Sequence, residues 1–366
     1  MAKKNFLYER VYNKIYHQIV SGDYKPGDLL PTEKELCEKM QVSLITVRRA
    51  LKELEDEGLV KKVRGKGTYV NEDISVHKNT SSANNSIGVL FIPYKEITNS
   101  DYPKRYDYEG DWQNSIYSSM FEELSDDFNI IIDGYPVEDL INDFERTVFS
   151  RTDRILVLGE YTSELIDFLH DKEKLVIVYN NFDSDLKVAS VNNNEKEICR
   201  KAVEYLIEKG HTKIGAINGI TGFSESIERY VGFQEAIIYN NLSINTDFIK
   251  WGNMAAESGY YLMKEMIKGD NYPSAVFCVN DGVAMGALDA IKEDGLNCPQ
   301  DISLISHDNS EEGKDLDPQL TTIDPKYTEV GKEIAKRMKR DIWIDDVTYV
   351  ESELVIRDSV KQLNND

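Results

Sequence analysis

Residues 42–70 read VSLITVRRALKELEDEGLVKKVRGKGTYV, and this stretch determines the predicted fold of the first part of the chain. Ser43 is a natural N-cap for a helix, and Gly58 stands at the C′ position where that helix would end. Between them, apolar residues recur at helical spacing and define an inward stripe: Val47, Ala50, Leu51 and Leu54. The first half of the stretch therefore predicts an amphipathic helix.

The second half of the stretch predicts a β-hairpin. Two short apolar runs, residues 59–63 and 68–70, are joined by the segment Arg64-Gly65-Lys66-Gly67. Because the glycines permit a tight turn, the two basic side chains between them would place positive charge at the tip of the hairpin.

Two further helices are predicted before this stretch. Apolar residues at helical spacing predict one over residues 8–20. Thr32 and Glu35 form a capping box that predicts the start of another. Three helices followed by a basic-tipped hairpin predict a winged helix-turn-helix domain over residues 1–71. In such a domain the N-terminal residues of the last helix contact base edges in the major groove of DNA.

This segment resembles the DNA-binding domain of the GntR family over nearly all of residues 8–70. Matching segments include Pro26-Gly27, Leu30-Pro31-Thr32-Glu33, Thr46-Val47-Arg48, Glu57-Gly58-Leu59-Val60 and Gly65-x-Gly67-Thr68-x-Val70. One departure concerns Leu44, because the family usually has arginine at this position. Leucine cannot make a bidentate contact with guanine, although it can touch the methyl group of thymine.

The resemblance implies DNA contacts from the second and third helices and from the hairpin tip. The candidate residues are Lys34, Ser43, Leu44, Thr46, Arg48, Arg49, Arg64, Gly65, Lys66 and Gly67. Ser43 would act as a helix cap first, so that any phosphate contact from it is secondary. The alternative for the basic side chains is that they are charges on a solvated surface.

Charge is distributed unevenly along the 366 residues, whose formal net charge is −22. Residues 1–75 contain 14 Lys and Arg against 12 Asp and Glu, whereas the remainder contains 29 against 53. Since the acidic second part would be repelled by a polyanion such as DNA, only the first part is expected to bind it.

Several classes of protein are disfavoured by the sequence. No stretch has the roughly 18 uncharged apolar residues that a membrane span needs. Residues 1–10 are polar and charged, which argues against a secretion signal and predicts a cytoplasmic protein. The four cysteines are scattered along the chain: Cys37, Cys199, Cys278 and Cys298. Their spacing argues against a disulfide framework or a metal site. No cofactor is expected.

The second part of the chain begins after a predicted mobile linker, residues 72–86, which is rich in Asn, Ser and Thr. Apolar runs predict strands at residues 87–93, 129–133, 154–158, 175–180, 213–218, 275–279 and 302–306. Amphipathic stretches predict helices at residues 112–126, 137–149, 163–170, 195–209, 225–239, 255–267, 283–293 and 327–339. This alternation predicts mainly parallel sheet with helices on both faces, and ligands bind such sheets beyond the C-terminal ends of the strands.

Residues 87–366 resemble the periplasmic-binding-protein-like effector domain of the LacI/GalR family. The resemblance is strongest over about residues 175–340, in segments such as Leu206-Ile207-Glu208-Lys209-Gly210-His211, Val279-Asn280-Asp281 and Leu320-Thr321-Thr322-Ile323. It implies two α/β lobes around a ligand cleft and dimerisation through the lobes. The predicted fold is thus an N-terminal winged helix-turn-helix (α+β) plus a two-lobed α/β periplasmic-binding-protein-like domain. Arabinose repressors of Gram-positive bacteria share this combination.

The LacI/GalR resemblance implies ligand contacts at Trp112, Asn180, Arg229, Asn280, Asp308 and Tyr327, and Tyr94, directly after the first strand, is a further candidate. The arginine would donate to a diol or a carboxylate, the aspartate would accept from two hydroxyls, and aromatic rings would stack on a sugar.

Structural alternatives exist for most of these candidates. Asn280 and Asp281 could cap the next helix, Arg229 could form a salt bridge between the lobes, and Trp112 could belong to the core. The tyrosine-rich loop at residues 94–110 could be a lid or a polar insertion.

The sequence contains no Walker A, GxSxG or HExxH motif and no paired Cys and His spacing, so an enzyme is not expected. We predict a sugar-responsive transcription regulator, a repressor that a small sugar releases from its operator, with L-arabinose as the first candidate. It would bind a palindromic DNA operator as a homodimer. Two alternatives remain open: a soluble sugar-binding protein without a DNA role, and an activator that responds to a non-sugar effector.

Overall fold

The computed structural model describes residues 7–20, 23–72, 74–76, 86–92, 105, 112–340 and 342–363. Its first part contains three helices, α1 (Leu7–Val20), α2 (Glu33–Met40) and α3 (Leu44–Asp56). An antiparallel hairpin of β1 (Val60–Val63) and β2 (Gly67–Val70) follows. The predicted winged helix-turn-helix is therefore confirmed.

Local hydrogen bonds explain where the helices of this domain begin and end. Thr32 Oγ1 accepts from the backbone amide of Glu35 at 3.3 Å, while Glu35 Oε2 accepts from the amide of Thr32 at 2.8 Å, which is the predicted capping box. Ser43 Oγ accepts from the amide of Thr46 at 3.2 Å and caps α3. Gly58 has a φ of 68°, the left-handed conformation expected just beyond a helix end.

Strands and helices alternate along the second part of the chain. The strands are β3 (Ile74–Val76), β4 (Ser86–Ile92), β5 (Asn129–Gly134), β6 (Arg154–Gly159), β7 (Leu175–Tyr179), β8 (Ala189–Asn193), β9 (Ile214–Asn218), β10 (Ile249–Trp251), β11 (Ala275–Cys278), β12 (Ser303–His307), β13 (Thr321–Asp324), β14 (Ile342–Ile344), β15 (Val347–Val350) and β16 (Glu353–Val355). The helices are α4 (Trp112–Leu124), α5 (Val137–Asp143), α6 (Ser163–Asp171), α7 (Glu195–Glu208), α8 (Ser224–Tyr239), α9 (Ala256–Met266), α10 (Asp281–Glu293), α11 (Glu311–Asp315) and α12 (Tyr327–Met338).

These elements build two α/β lobes. In the described part of the chain, the first lobe has a six-stranded parallel sheet of order β15-β8-β7-β6-β4-β5. The second lobe has a six-stranded sheet of order β10-β9-β11-β12-β13-β16, in which only β16 runs antiparallel to its neighbour. The chain enters the second lobe at α7, returns to the first at α12 and crosses again before β16. The two-lobed fold predicted from the sequence is thus confirmed.

Two predicted segments differ from the structure. The helix predicted over residues 137–149 ends at Asp143. Two 3₁₀ turns follow it, Phe144–Arg146 and Val148–Arg151. The helix is interrupted because Thr147, between the two turns, has an extended backbone and its hydroxyl donates to the Phe144 carbonyl. The predicted linker, residues 72–86, contains the strand β3, which pairs with β14 through backbone hydrogen bonds. No helix among the described residues is long and apolar enough to cross a membrane.

Candidate functional site

The C-terminal ends of strands from the two lobes face each other, and hydrogen bonds among the described residues join them. Asn180, which follows β7, donates to Glu225 Oε1 at 3.2 Å. The backbone amide of Ser224, at the start of α8, donates to Glu160 Oε1 at 2.9 Å. Tyr327, the first residue of α12, donates from its hydroxyl to Asp308 Oδ1 at 2.9 Å. These contacts define a cleft at the place that the sequence predicts.

A small cavity of about 280 Å³ lies beside these contacts. Its lining includes aromatic and carboxylate side chains, among them Glu160, Tyr161, Tyr179, Asp183 and Glu225. None of the described residues that line it is a lysine or an arginine. Burial raises the pKa of both Glu160 and Glu225 above the usual range. The volume lies just below the roughly 300–1,000 Å³ of pockets for drug-sized ligands, so a small molecule fits it better.

Three aromatic rings of the first lobe form one wall near the cleft. The ring of Trp112 lies 5.9 Å from the rings of both Tyr179 and Tyr327, which are 6.5 Å from each other. Trp112 and Tyr327 are predicted candidates that the structure brings together. Tyr179 is absent from the candidates, although its place at the end of β7 is a signal in the sequence that could have identified it.

Opposite this wall, four charged side chains form a compact cluster in the second lobe. Arg229 Nε donates to Glu195 Oε2 at 2.8 Å, and its Nη1 donates to the Val279 carbonyl at 2.7 Å. His307 lies between two carboxylates, with Nδ1 at 2.8 Å from Asp308 Oδ1 and Nε2 at 3.0 Å from Glu195 Oε2. The Arg229 ion pair lies within one lobe, so the alternative of a salt bridge between the lobes is wrong.

Burial strengthens the electrostatic interactions between the charged groups of this cluster. Glu195 and His307 are fully buried, and Arg229 is only 5% exposed. Burial alone would raise the pKa of Glu195, but the positive charges of Arg229 and His307 hold it well below its usual range. Burial and the Arg229 charge lower the pKa of His307, but Glu195 and Asp308 outweigh them and leave it raised. Two acidic side chains thus surround the Arg229 guanidinium and the His307 ring.

Two asparagine candidates use their amides for structural hydrogen bonds. Asn280 is the N-cap of α10: its Oδ1 accepts from the Val283 amide at 2.8 Å, and its Nδ2 donates to the Met254 carbonyl at 3.0 Å. Asn180 accepts from the amide of Asn193 at 2.9 Å and donates across the cleft to Glu225. The structure thus favours the helix-cap alternative for Asn280.

Asp281 does not cap the helix, contrary to the alternative considered for it. It is the first residue of α10, is buried, and accepts hydrogen bonds from the hydroxyls of Ser306 and Thr322 and from both the amide and the hydroxyl of Ser310. The helix begins two residues earlier than predicted, so Asn280 occupies the cap position. Asp281 therefore braces the loop that carries Asp308.

The remaining ligand candidate, Tyr94, lies outside the described residues, as does loop 94–110 except for Arg105. The amide of Arg105 donates to Glu257 Oε1 at 2.7 Å, and its guanidinium lies 3.9 Å from the ring centroid of Tyr260. Both partners belong to α9, so this point of the loop contacts the second lobe.

The start of α3, with its cap Ser43, carries half of the ten DNA candidates. Ser43 and Thr46 bond to each other through their hydroxyls at 2.8 Å. Arg48 Nε donates to Glu33 Oε2 at 2.8 Å, and Arg49 stacks on Tyr8 with its guanidinium carbon 3.7 Å from the ring centroid. Lys34 lies on α2, largely exposed, with its ammonium 4.0 Å from Glu38. All these candidates except Lys34 and the cap Ser43 belong to one helix.

The tip of the hairpin forms an exposed basic turn. Arg64, Gly65, Lys66 and Gly67 are all exposed. Gly67 has a φ of 126°, a backbone conformation that residues with a Cβ atom rarely adopt, which explains glycine at this position. The turn therefore presents two basic side chains on a tight backbone.

Two family models match the chain. The model of bacterial regulatory proteins of the gntR family matches residues 7–70, and that of the periplasmic binding protein-like domain matches residues 203–360. The HTH-type transcriptional repressor PurR of Pasteurella multocida is 36% identical over 231 residues, which cover 62% of this chain and 69% of PurR. The chain belongs to the HTH-type transcriptional repressors. This repressor combines a GntR-type DNA-binding domain with a LacI-type effector domain and is not an enzyme.

Two further comparisons cover most of the repressor. The probable HTH-type transcriptional repressor ExuR of Bacillus subtilis is 29% identical over 343 residues, which are 91% of this chain and 99% of ExuR. A solved structure described as a complex of the transcriptional regulator CelR with cellobiose covers 87% of this chain and 92% of its own, with a TM-score of 0.65 and 18% identity. The latter supports the fold. The match to a DNA-binding family over residues 7–70 argues against a sugar-binding protein without a DNA role.

One exposed residue of α3 lies among the predicted DNA contacts but is not one of them. Ile45, the second residue of α3, is 80% exposed. The sequence contains a signal for it, because position 45 lies opposite the inward stripe of Val47, Ala50, Leu51 and Leu54 on the helix.

The raised pKa of His307 makes the stability of the repressor depend on pH. An unfolded histidine titrates near pH 6.5, whereas folded His307 retains its proton above that value. Its stabilising contribution is therefore fully present below pH 6.5 and is lost as the pH rises through the folded pKa. Relative to His307→Gln, the free energy of unfolding should fall by up to about 1.4 kcal/mol per pH unit in that window. Urea denaturation of both proteins at several pH values measures this, and parallel pH profiles would contradict it.

The wing offers a direct test of phosphate contacts. We expect Lys66→Ala to weaken binding to all DNA duplexes by a similar factor and to reduce the slope of log affinity against log salt by about 1, because one released counterion is lost. Fluorescence polarisation at several salt concentrations measures the slope. Lys336→Ala on α12 also removes an exposed charge, but from the effector domain, and is the control. An unchanged slope for Lys66→Ala would place this side chain away from DNA.

Proposed function

We propose that a small neutral sugar binds between the two lobes of this repressor and releases it from its operator. The observation that carries the proposal is the position of the Asp308 carboxylate, which the Tyr327 hydroxyl joins to the aromatic wall of Trp112, Tyr179 and Tyr327. A carboxylate accepts hydrogen bonds from ring hydroxyls, and aromatic rings pack on the C–H faces of sugars. The cellobiose complex of CelR, which has a similar fold, is consistent with this class of ligand.

The charges around the cleft favour a neutral ligand over an anion. The cavity is lined by the carboxylates of Glu160, Asp183 and Glu225. The guanidinium of Arg229, which could attract an anion, is already paired with Glu195 at 2.8 Å. An anion such as a uronate or a phosphate would lie beside these acidic side chains, and none of the described lining residues is a lysine or an arginine that could pair with it. Within the neutral sugars, we propose L-arabinose as the first candidate.

The remaining assignments of residues and domains are also proposals. We assign residues 1–71 to DNA binding, 72–86 to the connection and 87–366 to effector binding and dimerisation. Two copies would bind a palindromic operator with one winged helix on each half-site. The proposed DNA contacts come from α3, the wing and Lys34, and the proposed ligand contacts are Trp112, Tyr179, Asp308 and Tyr327. Arg229 is proposed as a further ligand contact, although two of its nitrogens already donate to Glu195 and to the Val279 carbonyl.

Sugar binding would act by changing the relation between the lobes. Hydrogen bonds hold the strand ends of the two lobes together: Asn180 to Glu225, Ser224 to Glu160, and Tyr327 to Asp308. A ligand that prefers one arrangement of the lobes shifts the equilibrium by its difference in affinity, typically about 1–3 kcal/mol, which corresponds to about 5- to 150-fold in operator affinity.

The proposal is tested with full-length repressor on labelled promoter DNA by fluorescence polarisation at fixed salt. L-arabinose, D-galactose and D-galacturonate form a matched series, because they share ring configuration and differ only at C5. We expect one or both neutral sugars to release the DNA and the acid to have no effect. Release by the acid alone would overturn the neutral-ligand assignment. DNA binding that no pentose or hexose alters would overturn the sugar proposal itself.

A further inference from the structure

Two adjacent apolar side chains are exposed at the start of α3. Leu44 is 42% exposed and Ile45 is 80% exposed, whereas the other large apolar residues of this helix are buried in the core of the domain. Exposed apolar surface is unfavourable by about 25 cal/mol per Å², so a ligand that covers these side chains gains binding free energy. Their position, directly after the cap residue Ser43, is the part of a recognition helix that faces base edges.

The polar groups next to these two side chains are already engaged within the domain. The hydroxyls of Ser43 and Thr46 bond to each other at 2.8 Å, and Ser43 also accepts from the amide of Thr46. Arg48 is held by Glu33 at 2.8 Å, and Glu33 is itself fixed by Lys62 at 2.8 Å. The side chains that the helix start presents to a base edge are therefore mainly aliphatic.

Helical geometry places a basic residue one turn behind each apolar one. Leu44 and Arg48 are four residues apart, as are Ile45 and Arg49, so each pair lies on one side of the helix. With the apolar end in the major groove, the two arginines would lie one turn farther along. Both side chains are about 60% exposed, so each can exchange its glutamate partner for a backbone phosphate. Apolar contacts would then select the sequence, and the arginines would position the helix.

Among the bases, only thymine presents an apolar group in the major groove, the methyl group on C5. We infer that Leu44 and Ile45 recognise thymine methyl groups in each operator half-site and so determine its sequence. This inference rests on the DNA-binding role of the repressor and is independent of the proposed sugar effector.

The experiment compares thymine with deoxyuridine, which lacks the methyl group and retains base pairing. Full-length repressor first selects duplexes from a random pool at fixed salt. We expect a thymine preference at one or two neighbouring positions of each half-site. Replacing each of these thymines by deoxyuridine should weaken binding by about fourfold per methyl group, the effect of one buried carbon. The same replacement outside the half-sites should have no effect.

Variants of the two side chains then connect the methyl groups to the protein. Leu44→Ser and Ile45→Ser should bind the thymine and deoxyuridine duplexes with more nearly equal affinity, and the double variant should not distinguish them. Ile238→Ser, which removes a similarly exposed apolar side chain from α8, should retain the full difference. Equal affinity of the unmodified repressor for both duplexes, a selected half-site without thymine, or unchanged discrimination in the double variant would overturn the inference.

Discussion

Replacing Arg229 by methionine is expected to lower the free energy of unfolding of the repressor by about 3–5 kcal/mol. Arg229 is 5% exposed, and its partner Glu195 is fully buried. Without the guanidinium, the Glu195 carboxylate would remain in the interior and lose the larger of the two charges that stabilise it, with His307 still 3.0 Å away. Urea denaturation followed by tryptophan fluorescence includes a signal from this lobe, because Trp251 lies in its strand β10, while Trp112 and Trp343 report on the first lobe.

Arg200→Met is the matched control for this variant. Arg200 also lies on a helix of the second lobe and also pairs with glutamates, Glu197 at 2.7 Å and Glu204 at 2.5 Å. Its side chain, however, is 22% exposed, so water can solvate the partners that remain. We expect a loss of at most about 1 kcal/mol, as for surface ion pairs. Equal losses in the two variants would show that burial of the Arg229 pair does not determine its contribution.

A double-mutant cycle separates the ion pair from the packing around it. Glu195→Gln alone leaves Arg229 without its charged partner and should also destabilise the protein. The combination Glu195→Gln with Arg229→Met should be less destabilising than the sum of the two single changes, by about 1–3 kcal/mol. Additive losses would contradict a direct coupling. An Arg229→Met variant that no longer responds to effector has lost a proposed ligand contact and a stabilising ion pair at the same time. Arg229 is therefore a poor first position for testing ligand contact.

The layout of both parts of the molecule is predictable from sequence because it depends on patterns that local physics imposes. The capping box of Thr32 and Glu35, the cap at Ser43 and the left-handed Gly58 all appear where the sequence indicates. The alternation of strands and helices in the sequence also predicts the two α/β lobes. The cleft follows, since residues directly after parallel strands must meet at one edge of a sheet.

The strands that the sequence pattern misses are short or polar. All five residues of β8 are buried, yet two of them are asparagines and one is a serine, so no apolar run reveals it. Asn193 is accommodated because its amide donates to the carbonyls of Pro325 and Val350. β10, β14 and β16 have only three residues each. Such strands form because neighbouring strands provide hydrogen bonds, and that information lies far away in the sequence.

The buried charged cluster of the site also depends on residues that are far apart in the sequence. Arg229 and Asp308 are candidates because the family resemblance marks their positions, whereas Glu195 and His307 have no predicted part in the cluster. Glu195 opens α7, and the pattern identifies it only as an acidic residue in the first turn of a helix. The three-dimensional structure places its carboxylate between Arg229 and His307. Such long-range electrostatic partners require the fold itself.

Asp308→Asn is expected to weaken effector binding by about 100-fold or more and to leave operator binding without effector unchanged. A hydrogen bond to a charged group contributes about 1.5–3 kcal/mol, and this carboxylate is proposed to accept two hydroxyls of the sugar. Asparagine has the same size but lacks the charge and one acceptor oxygen. Calorimetric titration with the releasing sugar measures the affinity, and polarisation on operator DNA measures the unliganded state.

Tyr327→Phe is the matched variant, because it removes the hydroxyl that donates to Asp308 at 2.9 Å and leaves the aromatic ring in place. The hydroxyl acts on the sugar only by orienting Asp308, so we expect a smaller reduction in sugar affinity than in Asp308→Asn, about 2- to 13-fold, which corresponds to about 0.5–1.5 kcal/mol. The order of the two effects identifies the contact: a carboxylate that binds the ligand directly must matter more than the hydroxyl that orients it. Retained sugar release in Asp308→Asn, or a larger loss in Tyr327→Phe, would place the ligand elsewhere in the cleft. Loss of operator affinity in either variant without sugar would instead show that the Asp308–Tyr327 bond itself sets the DNA-binding arrangement of the lobes.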